Sequence, residues 1–127
     1  MWLSINEKDN RPIYLQIINQ IREQVANGTL KPGAQLPSVR ELAESLGINL
    51  HTVRSAYLKL RDQGIIELRL GRKARIARLK APLNRRDAEA QLDQKIKELV
   101  TEAQLAGLSR EALHRLIDQQ MDTKKEE

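Results

Sequence analysis

The sequence predicts a mainly α-helical chain with one small β-hairpin: three helices, the hairpin, then two further helices. Apolar residues recur at spacings of 3, 4 and 7 in five separate stretches, the mark of helices that bury one face. In one stretch after Gly64 the period drops to two, the mark of a strand pair. The size bounds the architecture: 127 residues, 40% apolar and 31% charged, suit one compact domain or a small domain with an appendage.

The elements follow in order. Pro12 opens the first helix at its first turn, and Tyr14, Ile17, Ile18, Ile21 and Val25 form its inward stripe until Gly28. Leu30 to Gly33 is a turn, after which Ser38 caps a second helix in a capping box with Glu41; Val39, Leu42, Ala43 and Leu46 face inward. Gly47 stops it as a left-handed cap, and Asn49 caps a third helix that buries Val53, Ala56, Tyr57 and Leu60. Ile66, Leu68 and Leu70 then alternate with Glu67 and Arg69, Gly71-Arg72-Lys73 turns the chain, and Ala74 to Leu79 returns as the second strand. From Pro82 the helical period resumes, with Leu92, Ile96, Leu99, Val100 and Ala103 on one face. Gly107 stops this helix and Ser109 caps another that presents Leu113, Leu116, Ile117 and Met121, leaving TKKEE as a frayed end.

Charge divides the chain unequally. Residues 1–81 carry 14 Lys and Arg against 7 Asp and Glu, whereas residues 82–127 carry 8 against 10. Six cations and no acid lie within residues 69–80, enough to neutralise several phosphates from one short element. Two domains are therefore expected, a basic one over residues 1–81 and a helical pair over residues 82–127. With no cysteine there is no disulfide, thiolate or Cys-type zinc chemistry, which suits a reducing cytoplasm. No stretch has the length and hydropathy of a membrane span. His51 and His114 fall in no catalytic or metal-ligand spacing and Ser38 is accounted for as a cap, so neither an enzyme nor a required metal or cofactor is expected.

Three helices with a short break between the second and third, followed by a hairpin, form a winged helix-turn-helix, whose third helix enters the major groove of DNA. If Val53, Ala56, Tyr57 and Leu60 face the core, then Leu50, His51, Arg54, Ser55, Leu58 and Arg61 lie opposite. Arg54 then suits a bidentate contact to guanine, His51 a base or phosphate, Thr52 a phosphate, and Leu50 a thymine methyl.

The segment LPSVRELAESLGINLHTVRSAYLKLRDQGIIE, residues 36–67, resembles the GntR family of bacterial transcription regulators: the Leu-Pro-Ser-x-Arg entry, the Leu-Gly-Ile stop, Thr-Val-Arg in the third helix and Gly-Ile-Ile before the hairpin are all present. The resemblance covers about residues 10–79. It implies a DNA-contacting role for Arg40, recognition positions at Leu50, His51, Thr52 and Arg54, and a wing-tip glycine at Gly71. Together with Ser38, Asn49, Arg72, Lys73 and Arg75 these make the candidate DNA-binding set. The hairpin departs from the family's Gly-x-Gly-Thr-Phe-Val by reading Gly-Arg-Lys-Ala-Arg-Ile, which exchanges packing and turn freedom for cations.

Only 46 residues follow Ala81, a length similar to the YtrA-like subgroup, whose short two-helix extension dimerises. Two helices are hard pressed to enclose an effector pocket of roughly 300 Å³ or more. An apolar stripe on an isolated helix pair calls for a second copy, with Leu92, Ile96, Leu99, Val100, Ala103, Leu113, Leu116 and Ile117 as interface candidates. The expected function is a homodimeric, sequence-specific regulator, a repressor on a (pseudo)palindromic operator. The alternative is a winged module for protein or RNA. Few aromatics disfavour stacking on single strands, since Tyr14 and Tyr57 are assigned to the core and Trp2 is unassigned.

Overall fold

The computed structural model describes residues 2–78 and 85–125. Among them are five helices and two short strands: α1 Ile13–Ala26, α2 Val39–Leu46, α3 Leu50–Asp62, β1 Ile66–Glu67, β2 Arg75–Ile76, α4 Arg85–Leu105 and α5 Arg110–Lys125. The chain divides into two compact units, Met1–Leu79 and Lys80–Glu127.

In the first unit α3 is the hub, with α1, α2 and β1 each packed on it. Its inward side, Val53, Ala56, Tyr57 and Leu60, is fully buried and meets Ile17 and Ile21 of α1, Leu42 of α2 and Ile66 and Ile76 of the hairpin in one core. The helix ends follow the sequence closely. Ser38 Oγ accepts the Glu41 N–H at 3.1 Å, and the Glu41 carboxylate accepts the Ser38 N–H at 3.2 Å. Asn49 Oδ1 accepts the His51 N–H at 2.7 Å. Between them Gly47 sits at φ +67°, a conformation that costs any residue with a Cβ on the order of 1 kcal/mol.

The start of the chain differs from expectation. Pro12 lies one position outside α1, its carbonyl accepting the N–H groups of Leu15 and Gln16. Tyr14 is not in the core but 40% exposed, while Gln16 and Leu3 are buried. The burial of Gln16 and Leu3 follows from a ladder of glutamines. Gln16 bonds both backbone groups of Asn6, Gln20 both of Ser4, and Gln24 donates to the Trp2 carbonyl at 2.7 Å. Four helical residues rise about 6 Å and two extended residues about 6.6 Å, so one glutamine per turn matches every second residue of an extended segment. This lays residues 2–6 along α1 and seals Leu3 into the core, with Trp2 and Ile5 packed at its edge.

The hairpin also gains a partner. Ile66 pairs with Ile76 and Glu67 with Arg75, antiparallel, but β2 is further bonded on its other side by residues 33–36. There Gly33 N–H reaches the Ile76 carbonyl, Ile76 N–H the Ala34 carbonyl and Leu36 N–H the Ala74 carbonyl, at 2.8 to 2.9 Å. The expected alternation ends early. Leu68 is half-buried, but Leu70 is fully exposed, because the chain turns at residues 69–72, with Arg72 N–H on the Arg69 carbonyl at 3.0 Å and Gly71 at φ +75°. A positive φ at the third position is what a type II turn requires. Leu79, the expected end of the return strand, and Pro82, the expected start of the next helix, lie outside the described residues.

In the second unit Leu108 N–H closes back on the Ala103 carbonyl around Gly107, and Ser109 Oγ caps α5 through the Ala112 N–H at 3.1 Å. Ala103 is buried and Val100 and Leu113 are half-buried. Leu92, Ile96, Leu99, Leu116, Ile117 and Met121, by contrast, are 41 to 58% exposed within the chain. The tail expected to fray is helical as far as Lys125, with Glu126 and Glu127 outside the described residues.

Candidate nucleic-acid interface

Tyr57 fixes the geometry of the two short helices. Buried in the middle of α3, it donates its hydroxyl to the Pro37 carbonyl at 2.7 Å, tying α3 to the residue that leads into α2. Burial, aided by the nearby Glu41 charge, pushes its phenol well above the ordinary tyrosine range, so it stays a neutral donor. With that tie in place, Ser38, Arg40, Leu50 and Arg54 line one open groove of about 540 Å³, closed on its far side by Leu68, Arg69, Leu70 and Gly71 of the hairpin. Arg40, Arg54, Arg69 and Gly71 are exposed along it. A groove walled by cations, with the start of α3 on one side and a turn on the other, has the charge and the shape to hold a phosphate chain.

The remaining members of the candidate set fall into two neighbouring hollows. Asn49, His51 and Thr52 lie at the start of α3 with Ser55 and the exposed ring of Tyr14, around a space of about 370 Å³. Asn49 uses its oxygen as the cap and keeps its amide N–H groups as donors, and the positive end of α3 adds attraction for an anion there. Arg72, Lys73 and Arg75 gather with Arg69 and Glu67 on the hairpin around about 130 Å³. These cations are not equivalent. Lys73 Nζ stands 3.3 Å from the Glu41 carboxylate, and Arg75 donates to the Gly33 carbonyl at 3.2 Å. Glu41 is held below the usual carboxylate range, chiefly by the Ser38 N–H, then by the Ser38 hydroxyl and Lys73.

Two expectations change. Leu50 is not simply opposite the core, since it is half-buried and packed against it, so only part of the side chain is left for a base. Tyr14, assigned to the core, instead presents its ring beside His51 and Thr52, and Arg69 and Leu70 join the groove although neither was in the candidate set. The sequence signal for Tyr14 was its place at the edge of the α1 stripe, three residues before Ile17. In the second unit an open hollow of about 320 Å³ lies between α4 and α5, lined by Val100, Ala103, Leu108, Ser109, Leu113 and His114 among others. The volume expected of an effector pocket is reached, but not its enclosure.

Comparison with known proteins agrees with this geometry. The family model described as bacterial regulatory proteins, gntR family, matches residues 13–76. The chain belongs to the GntR family. This is a family of transcription regulators and not of enzymes, and the mostly helical fold with a two-stranded sheet is its winged helix. The HTH-type transcriptional repressor YtrA of Bacillus subtilis (strain 168) is 37% identical over 115 residues, which cover 91% of this chain and 88% of that protein. Among solved structures, a transcriptional antiterminator from Listeria monocytogenes EGD-e superposes with a TM-score of 0.88 at 33% identity, covering 98% of this chain and 92% of the other. The DNA-binding domain of AraR in complex with operator ORR3 superposes with a TM-score of 0.51 at 26% identity over 57% of this chain and 88% of that one. This GntR chain is thus a DNA-binding transcription regulator. No helix among its described residues is long and apolar enough to cross a membrane.

Proposed function

We propose that this regulator acts as a cytoplasmic homodimer that occupies a (pseudo)palindromic operator and represses transcription by blocking polymerase. Residues 1–81 serve as the DNA-binding domain and residues 82–127 as the dimerisation segment. The observation that carries the reading is the cationic groove between the start of α3 and the hairpin turn. From it Arg54 and part of Leu50 read base edges in the major groove, together with His51 of the neighbouring hollow. Ser38, Arg40, Asn49 and Thr52 hold phosphates, while Gly71, Arg72, Lys73 and Arg75 meet the adjacent minor groove and backbone. Repression is supported by the name of the YtrA relative, and operator binding by the AraR complex.

Dimerisation is supported by the second unit. Its apolar stripe, from Leu92, Ile96 and Leu99 on α4 to Leu116 and Ile117 on α5, is left largely uncovered by the chain itself. Five such residues exposed on one small helix pair exceed the scattered apolar exposure normal for a monomer. Val100, Ala103 and Leu113, already partly covered, form the floor of the same face. The test is sedimentation at micromolar concentration combined with binding to duplex DNA, duplex RNA and heparin. A dimer that prefers DNA duplexes supports the reading. A monomer ends the dimer, and equal binding to heparin or RNA ends the operator role.

A further inference from the structure

We infer that Leu70 is an apolar wedge that the hairpin tip presses into the minor groove of the bound duplex, loosening one base step, while Arg69 and Arg72 hold phosphates on either side. This rests on the operator-binding reading and assigns a role to a residue expected to point into the protein.

Leu70 is 105% exposed, the most exposed large apolar side chain among the described residues. It sits at the second position of the turn, where the Arg72 N–H to Arg69 carbonyl bond of 3.0 Å and the positive φ of Gly71 hold it outward. A tight turn fixes the backbone beneath the side chain in advance, so little ordering remains to be done on binding. A lone exposed leucine is ordinary. This one, however, has an arginine one residue before it and another two residues after, and the turn carries no second apolar side chain that a protein or lipid surface would need. A cationic rim around a single apolar tip matches a partner that is anionic outside and apolar within, which is a duplex approached through its grooves.

Placement argues the same way. Leu70, Arg69 and Gly71 line the far side of the groove whose near side carries Arg40 and Arg54. A strand whose bases face Arg54 from the major groove runs its phosphates along that groove, which sets the hairpin tip at the minor groove beyond. There the apolar side chain of the turn is Leu70, and apolar side chains of this kind unstack base steps in minor-groove binders.

The probe is the duplex recovered by the wild-type chain from a random library, with 2-aminopurine placed in turn at each step of its flank. Wild type is compared with Leu70→Ala, Leu70→Met and Arg54→Ala, each checked for an unchanged thermal melt. Leu70→Ala is expected to bind roughly tenfold more weakly, the scale of one leucine's burial. It should keep the wild-type salt slope, since no charge is removed, and lose a 2-aminopurine fluorescence rise confined to one step per half-site. Leu70→Met should keep that rise. If Arg54→Ala loses the duplex while Leu70→Ala matches wild type in affinity and fluorescence, the wedge is overturned and the operator role stands. If wild type recovers no duplex, both fall.

Discussion

Replacing Arg72, Lys73 and Arg75 together by alanine tests the hairpin's electrostatic share. Each phosphate neutralised contributes about 0.9 to the slope of log K against log salt, so three independent contacts would remove about 2.7 per chain. The structure lowers that figure. Lys73 stands 3.3 Å from Glu41, in a pair whose side chains are 50% and 53% exposed. An exposed pair exchanges partners readily, yet the carboxylate stays close and cancels part of the attraction to phosphate. Arg75 keeps its charge while bonding the Gly33 carbonyl. The expected loss is therefore roughly 2 per chain, or about 16-fold in affinity difference across roughly 50 to 200 mM salt. Among single variants, Arg72→Ala should account for about 0.9 and Lys73→Ala for distinctly less. Fluorescence anisotropy titrations on a labelled selected duplex measure these slopes. A triple variant with the wild-type slope, or a Lys73→Ala slope change equal to that of Arg72→Ala, would refute the reasoning.

The remaining predictions concern the supports of the groove and the dimer face. Glu41→Gln keeps an acceptor for the Ser38 N–H and removes the charge beside Lys73, so it should tighten duplex binding and steepen the salt slope by up to about 0.9 per chain. Because the Glu41 carboxyl is held low in the fold, the stability it adds is present above its ordinary value of 4.5 and is lost as pH falls through its depressed range, a loss absent from the variant in acid melts. Tyr57→Phe removes the bond to Pro37 and should cost about 1 kcal/mol, roughly 4 to 8 °C in Tm for a unit of this size. Since burial raises the Tyr57 phenol, its contribution is fully present below pH 10.0 and declines above it, so the alkaline fall in Tm should be shallower in the variant. Leu99→Asp, on an exposed turn of α4, should leave the melt of the first unit intact while yielding monomers in sedimentation.

What the sequence revealed was whatever local physics decides. Ser38 with Glu41, Asn49 before α3 and Gly47 between them are choices fixed within four residues, and the α3 stripe of Val53, Ala56, Tyr57 and Leu60 obeys one helical period. Long-range pairing was hidden. Pro32 and Gly33 signal a turn, and nothing nearby says that residues 33–36 bond β2 some forty residues later. Gln16, Gln20 and Gln24 recur every four residues, but nothing local marks them as a ladder, because its partner is the extended segment holding Trp2, Ser4 and Asn6. That ladder also explains why Leu3 is sealed into the core. Alternation alone continues the strand through Leu70, but the turn that begins at Arg69 ends it and leaves Leu70 exposed. The candidate site was thus legible where it lies on α2 and α3 and less so on the hairpin, where the turn sets each side chain's direction.

The account turns on α3 reading base edges from the major groove. Its most direct measurement is unbiased selection of duplexes from a random library with the purified chain, repeated with Arg54→Ala and His51→Ala. The predicted result is a two-fold-related motif for wild type, with preference relaxed at one position per half-site in Arg54→Ala and at a neighbouring position in His51→Ala. An identical motif from all three proteins would contradict it.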